Sequence, residues 1–146
     1  MARQAVAMAL VFGLANSAWA ADKLPIDSPT RIGDIEAVCT GIGLDSRQDP
    51  RWLSYPLRVE VAGRGGQYLG DVALTVARDG KEVITVQCDG PWILFRLPAG
   101  RYQVRGETEG KAAESAALVP PAGQGRVILR FSDLGGQSTT VSEPAP

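Results

Sequence analysis

The chain has 146 residues, with 15 Lys and Arg against 16 Asp and Glu, and it contains no histidine. This charge balance argues against a general affinity for nucleic acid or anionic lipid. The lack of histidine excludes Ser-His-Asp and Cys-His catalysis and the usual zinc and copper sites, so we expect no metal and no other cofactor. The length is that of one domain with one hydrophobic core.

The first twenty residues are typical of a cleavable secretory signal. Arg3 precedes an apolar run over residues 5–15, and the small-x-small triplet Ala18-Trp19-Ala20 follows. The run is about half of the ~20 residues that a membrane-spanning helix needs. We therefore expect a signal peptide at 1–20, export to the periplasm or the medium, no membrane insertion after cleavage, and a flexible leader at 21–32.

Two cysteines, Cys39 and Cys88, lie in phase with the apolar residues of two predicted strands. An even number of cysteines in an exported protein usually indicates a disulfide bond. The pattern predicts a Cys39–Cys88 bridge inside the core, and the alternative is two buried free thiols that pack as small hydrophobic groups.

Alternation of apolar and polar residues predicts eight short strands without an amphipathic helix. The predicted strands are 35–39, 57–61, 72–76, 83–88, 93–97, 101–107, 112–119 and 126–131. The irregular segment 40–55 is expected to hold a short helical turn, with Trp52 and Leu53 packed inward. The sum predicts an all-β fold, a seven- or eight-stranded antiparallel β-sandwich over 33–134, followed by a disordered tail at 135–146.

The stretch 90–104 predicts a hairpin. Ile93, Phe95 and Leu97 share one face of its first strand, and Pro98-Ala99-Gly100 has the composition of a tight turn. A second hairpin is expected at Asp79-Gly80, between two alternating runs.

Four parts of the chain together resemble the carboxypeptidase regulatory-like family of transthyretin-type sandwiches. They are the strand 72–76, the turn Asp79-Gly80, the run Leu-Pro-Ala-Gly-Arg-Tyr-Gln-Val at 97–104, and the strand 126–131. The resemblance implies a prealbumin-like sandwich that serves as a non-catalytic accessory or binding module. It implies nothing about segment 40–55 or the cysteine pair, which are not part of the family's general motif.

A partner-binding surface is predicted on the first strand of the 90–104 hairpin, on the face that points away from the core. Alternation puts Trp92, Leu94 and Arg96 on that face, and Trp52 and Tyr55 are further aromatic candidates. The alternative is that these rings pack in the core or at an edge. Outward-pointing arginines of several strands could also form one ladder, namely Arg96, Arg101, Arg105, Arg126 and Arg130.

Three functions are consistent with the sequence. The first is a non-catalytic exported binding or structural accessory module of the cell envelope, whose partner is an envelope protein or a glycan. The second is a small hydrolase or isomerase that uses the carboxylates of Asp45 and Asp49 as acid and base. The third is an accessory subunit of a separately encoded envelope enzyme.

Overall fold

The computed structural model describes residues 21–132 and places them in two five-stranded β-sheets that pack face to face. The all-β sandwich expected from the sequence is therefore confirmed. The expected signal peptide and the expected tail at 135–146 lie outside the described residues. Within the described range, no helix is long and apolar enough to cross a bilayer.

Ten strands and two short helices make up the described fold, compared with the seven or eight strands expected. The strands are β1 (Asp22–Lys23), β2 (Thr30–Ile32), β3 (Ile35–Thr40), β4 (Leu57–Gly63), β5 (Val72–Arg78), β6 (Lys81–Cys88), β7 (Trp92–Phe95), β8 (Gly100–Thr108), β9 (Lys111–Val119) and β10 (Gly125–Phe131). The helices are α1 (Leu44–Arg47) and a 3₁₀ helix (Pro50–Ser54). Sheet A has the strand order β1-β6-β5-β8-β9, and sheet B has the order β10-β4-β7-β3-β2.

The expectation of a flexible leader at 21–32 is wrong. Strand β1 pairs in parallel with β6, and β2 pairs antiparallel with β3, so this segment closes one edge of each sheet. Leu24 is buried in the core, and its backbone N–H donates to the Gln87 carbonyl at 2.9 Å. The polar composition concealed this order, because these two-residue and three-residue edge strands are held by backbone bonds and by only two apolar side chains, Leu24 and Ile32.

The sandwich is not purely antiparallel. Strand β10 pairs in parallel with β4, from Gly125 opposite Leu57 to Phe131 opposite Gly63. The chain leaves sheet A at the end of β9 and crosses to sheet B before β10, so β10 begins beside the start of β4. The two parallel partners, β4 and β10, are joined by the whole stretch of chain from β5 to β9, and no local turn signal in the sequence reveals that they pair.

The expected hairpin at 90–104 is also wrong, because β7 belongs to sheet B and β8 to sheet A. The intervening residues carry the chain from one sheet to the other. Ile93, Phe95 and Leu97 face the core as predicted. Strands on either side of a crossover face the same core, so alternation alone does not distinguish a crossover from a hairpin.

Two other hairpins join neighbouring strands of sheet A. Asp79-Gly80 connects β5 to β6 as predicted, and Glu109-Gly110 connects β8 to β9. All four of these turn residues have positive φ, which is the backbone geometry of two-residue hairpin turns that match strand twist.

Tyr102 holds the crossover against the core. Its hydroxyl donates to the Pro98 carbonyl at 2.7 Å, and Arg78 Nη1 donates to the same hydroxyl at 3.2 Å. The ring itself is buried between the sheets, where the hydroxyl would otherwise lack a partner.

We expect Tyr102→Phe to lower the free energy of unfolding by about 1 kcal/mol, because the Pro98 carbonyl loses its donor and Arg78 loses its acceptor while the ring still fills its place. Chemical denaturation measures the change. The exposed Arg101→Ala serves as the control, and its effect is expected to stay within about 0.5 kcal/mol. An unchanged midpoint for Tyr102→Phe would contradict the assigned role of the hydroxyl.

A disulfide bond between Cys39 and Cys88 joins the two sheets through the core, as the sequence predicted. Cys39 lies in β3 of sheet B, and Cys88 ends β6 of sheet A, with 5.5 Å between their Cα atoms. Gly90 packs beside the bridge, and a Cβ there would lie 2.5 Å from the Thr40 carbonyl oxygen. Only glycine therefore allows the backbone to pass this close to the bridge.

Candidate binding surface

The face of sheet B that points away from the core carries the predicted site residues Trp92 and Leu94. Their phase is as predicted, since Trp92 lies opposite Glu60 and Leu94 opposite Arg58 across β4. However, Trp92 is only 6% exposed and Leu94 is 0% exposed. The expectation of an exposed apolar face is therefore wrong at these two positions, and Trp92 and Leu94 cannot contact a partner directly.

The segment 41–55, named here the cover segment, buries this face. Trp52 and Tyr55 of the cover segment form a second small hydrophobic cluster with Val38 and Leu94, apart from the main core. Trp52 packs inward as predicted, whereas Leu53 is 69% exposed, contrary to the prediction. Consecutive residues of a 3₁₀ helix point about 120° apart, so Trp52 and Leu53 do not both face the sheet.

Side chains beside the ends of β10 and β7 hold the cover segment in place. Gln124 Nε2 donates to the carbonyls of Trp52 and Tyr55 at 2.7 and 3.0 Å. Arg96 donates from Nη1 to the Ser54 carbonyl at 3.1 Å and from Nη2 to Ser54 Oγ at 2.9 Å. The cover segment is thus an ordered layer on the sheet.

Four arginines of this face lie over aromatic rings. The pairs, with the distance from guanidinium carbon to ring centroid, are Arg51 over Trp52 (4.5 Å), Arg96 over Tyr55 (4.3 Å), Arg58 over Trp92 (4.3 Å) and Arg47 over Tyr68 (5.3 Å). A cation over an aromatic face contributes about 0.5–2 kcal/mol and fixes a side chain that would otherwise be mobile. We call the outer face of sheet B, together with its cover segment, the arginine face.

In the half of the arginine face near Tyr55, the two stacked arginines each pair with an acid of their own. Arg51 pairs with Asp49 at 2.8 Å, and Arg96 pairs with Glu36. The hydrogen bond from each arginine holds the pKa of its carboxyl partner, Asp49 or Glu36, below the usual range. Arg96 is exposed, so it is the one residue of the predicted set Trp92, Leu94 and Arg96 that remains accessible.

In the other half, a single carboxylate, that of Glu60, is shared by two arginines. Glu60 is 1% exposed, and its oxygens lie 3.2 Å from Arg58 Nε and 3.1 Å from Arg126 Nη2, while Tyr68 donates its hydroxyl at 3.1 Å. The hydrogen bond from Arg126 to Glu60 raises the pKa of Arg126. Arg58 Nε is buried and lies within ion-pair distance of Glu60, but it is not aligned for a hydrogen bond.

We call this group the Glu60 cluster, and it consists of Glu60, Tyr68, Arg47, Arg58, Arg126 and Arg130. Arg130 points to the same face as Arg126, since both lie at even positions of β10. Sequence reasoning missed the cluster. The only signal in the sequence is the alternation in β4, which puts Arg58 and Glu60 on one face of the strand. The partner strand β10 lies more than 60 residues away along the chain.

The predicted arginine ladder does not exist as one surface. Arg96, Arg126 and Arg130 lie on the arginine face, whereas Arg101 and Arg105 lie on β8 and point outward from sheet A. The ladder fails because the crossover after β7 moves β8 to the other sheet.

The outer face of sheet A carries small and polar side chains and a shallow groove of about 510 Å³. Ala77, Arg101, Gln103, Ala116 and Leu118 are among the residues that line it. Leu118 is 61% exposed.

The two carboxylates considered for catalysis lie apart from this groove. Asp49 accepts a hydrogen bond from the Arg51 backbone N–H at 2.9 Å and so caps the 3₁₀ helix, and Asp45 is exposed in α1. Within residues 21–132, no group of three or more metal-binding side chains occurs.

No protein-family model matches the chain, and no curated protein is significantly similar to it. The resemblance to the carboxypeptidase regulatory-like family stays a prediction.

Proposed function

We propose that the chain is a non-catalytic, exported binding module of the cell envelope, and that it contacts a partner protein through the cover segment. The observation that carries this proposal is the combination of stacked arginines and exposed apolar side chains in that segment. Among the described residues, the cover segment contributes three exposed large apolar side chains, Ile42, Leu44 and Leu53.

This composition favours a protein interface. Arginine and aromatic residues supply most of the binding energy in protein interfaces, and stacking on a ring orients the guanidinium before the partner arrives. Arg51 is held both by the Trp52 ring and by Asp49, while its side chain stays largely exposed. Leu53, two residues further on, provides apolar area beside this fixed charge.

Two features of the structure support the proposal of an exported, non-catalytic protein. A buried disulfide is typical of proteins that fold in an oxidising compartment. Asp49, one of the two carboxylates considered for acid-base catalysis, serves instead as a helix cap and ion-pair partner. The family resemblance implies an accessory module of the same kind.

Site-specific photo-crosslinking in the native host tests the proposal. A photoreactive residue at position 53 should yield one dominant crosslinked envelope protein. The same residue at position 118 is the matched control, because Leu118 is 61% exposed but lies on sheet A. Arg51→Ala, combined with the probe at position 53, should reduce the crosslinked product about tenfold or more.

Equal crosslinking from positions 53 and 118 would contradict the proposed surface. The absence of any product from position 53, in cells where the protein is folded and exported, would contradict the proposed function.

A further inference from the structure

We propose that the Glu60 cluster, together with the neighbouring Arg64, binds an acidic glycan. This inference goes beyond the proposed protein contact, because it concerns the opposite half of the arginine face. It begins with the local charge. Arg58 and Arg126 share one carboxylate, that of Glu60. Arg47 stacks on Tyr68, and Arg130 lies on the same face of β10 as Arg126. In the half near Tyr55, by contrast, Arg51 and Arg96 each pair with an acid of their own.

The excess charge is accessible at the surface. Arg64 and Arg130 are exposed, and within the described part of the chain neither forms an ion pair. Arg130 Nη1 lies 3.9 Å from the position that a Cβ on Gly66 would occupy, so Arg130 reaches the turn that carries Arg64. About half of the Arg126 side chain is also exposed, although Arg126 already contacts Glu60. Guanidinium groups with unused donors bind carboxylate, sulfate or phosphate in a bidentate manner.

The spacing along β10 suits a chain of sugars. Arg126 and Arg130 are four residues apart on one face of the strand, which corresponds to about 13 Å. Ile128 lies between them, half-buried and opposite Glu60, and the partly exposed ring of Tyr68 lies on the far side of Glu60. Charged groups at both ends with apolar carbon between them match a saccharide that carries periodic anionic groups.

Other polyanions fit this surface less well. The charge of the whole chain is −1, so the basic area is local and too small to contact a long duplex of nucleic acid. Ile128 is half-buried between charged neighbours, so β10 offers no apolar side chain that could enter a lipid bilayer. An acidic glycan meets the local charge without either requirement.

Titration calorimetry with defined probes tests the inference. The probes are oligogalacturonate, which carries carboxylates, and short dextran sulfate, with maltodextrin as the neutral control. We expect the protein to bind at least one acidic probe, with affinity that falls as salt rises, and not to bind maltodextrin. Arg64→Gln combined with Arg130→Gln should weaken this binding about tenfold or more.

The matched control is Arg101→Gln combined with Arg105→Gln, which removes the same charge from sheet A and should change affinity by less than about twofold. Three results would each overturn the inference. They are no binding of either acidic probe at low salt, an equal loss in both double variants, and tighter binding of a DNA duplex or phosphatidylglycerol vesicles through Arg64 and Arg130.

The photo-crosslinking at position 53 separates the two proposals. Loss of glycan binding with crosslinking intact removes only the glycan inference. Intact glycan binding without crosslinking removes only the protein contact.

Discussion

Replacing both cysteines, by Cys39→Ala with Cys88→Ala, should lower the free energy of unfolding by roughly 4 kcal/mol. The bridge closes a loop with a sequence separation of 49 residues, and it is an inter-sheet link in the described core. Its loss frees the unfolded chain and also leaves two small gaps between fully buried positions. A decrease of this size corresponds to a fall in Tm of about 15 °C for a domain of this length.

Guanidinium denaturation of the double variant and of the native protein measures the effect. The native protein, reduced while unfolded and then refolded under reducing conditions, provides the control, and its stability should match that of the double variant within about 1 kcal/mol. A loss below about 1 kcal/mol in the double variant would show that sheet packing, and not the bridge, keeps the two sheets together.

The disulfide shows what the sequence could predict well. The positions of Cys39 and Cys88 within alternating strands gave their direction, and strand phase is a local property that neighbouring residues determine. The turn Asp79-Gly80 was predicted correctly for the same reason. An Asp-Gly pair readily adopts positive φ at both positions, and this local property specifies a two-residue hairpin.

Trp92 shows where local patterns fail. Alternation placed it correctly on the outer face, but the cover segment that buries it has no periodicity of its own. The packing of Gly41 against Trp92 is equally invisible in the sequence, although a Cβ at Gly41 would lie 2.8 Å from the indole Cγ. Which segment covers a sheet face depends on tertiary contacts that the alternation does not contain.

The pairing of β10 with β4 was the second unpredictable step, and the Glu60 cluster depends on it. Glu60 and Arg126 are brought together by a parallel register in which Arg126 lies opposite Arg58. An antiparallel sandwich, as the sequence suggested, gave no reason to place them in contact. A site assembled from distant strands therefore emerges only once the topology is known.

Glu60→Ala is expected to lower the free energy of unfolding by about 3–5 kcal/mol, the range observed when one partner of a buried ion pair is removed. The side chain of Arg58 is 19% exposed and stacks on the buried Trp92, so its charge would remain in a poorly hydrated place without a counter-ion. Tyr68 would lose its hydrogen-bond acceptor at the same time. Chemical denaturation and thermal unfolding measure the loss.

The control is Glu36→Ala on the same face, where the pair with Arg96 is partly exposed to solvent and should contribute less than about 1 kcal/mol. Equal losses in the two variants would contradict the special role of Glu60. If Glu60→Ala does not fold, Glu60→Gln keeps the shape and some hydrogen bonds, and it should cost less than the alanine variant but more than Glu36→Ala.

Glu60→Gln also links the fold to the proposed ligand. It removes the one carboxylate of the cluster and so raises the net charge next to Arg126 by one unit. Stability should therefore fall while affinity for oligogalacturonate rises, because the carboxylate no longer competes with the ligand for the guanidinium groups. A purely structural cluster would show the first change without the second, so opposite signs in one variant distinguish an anion-binding site from a buried ion pair.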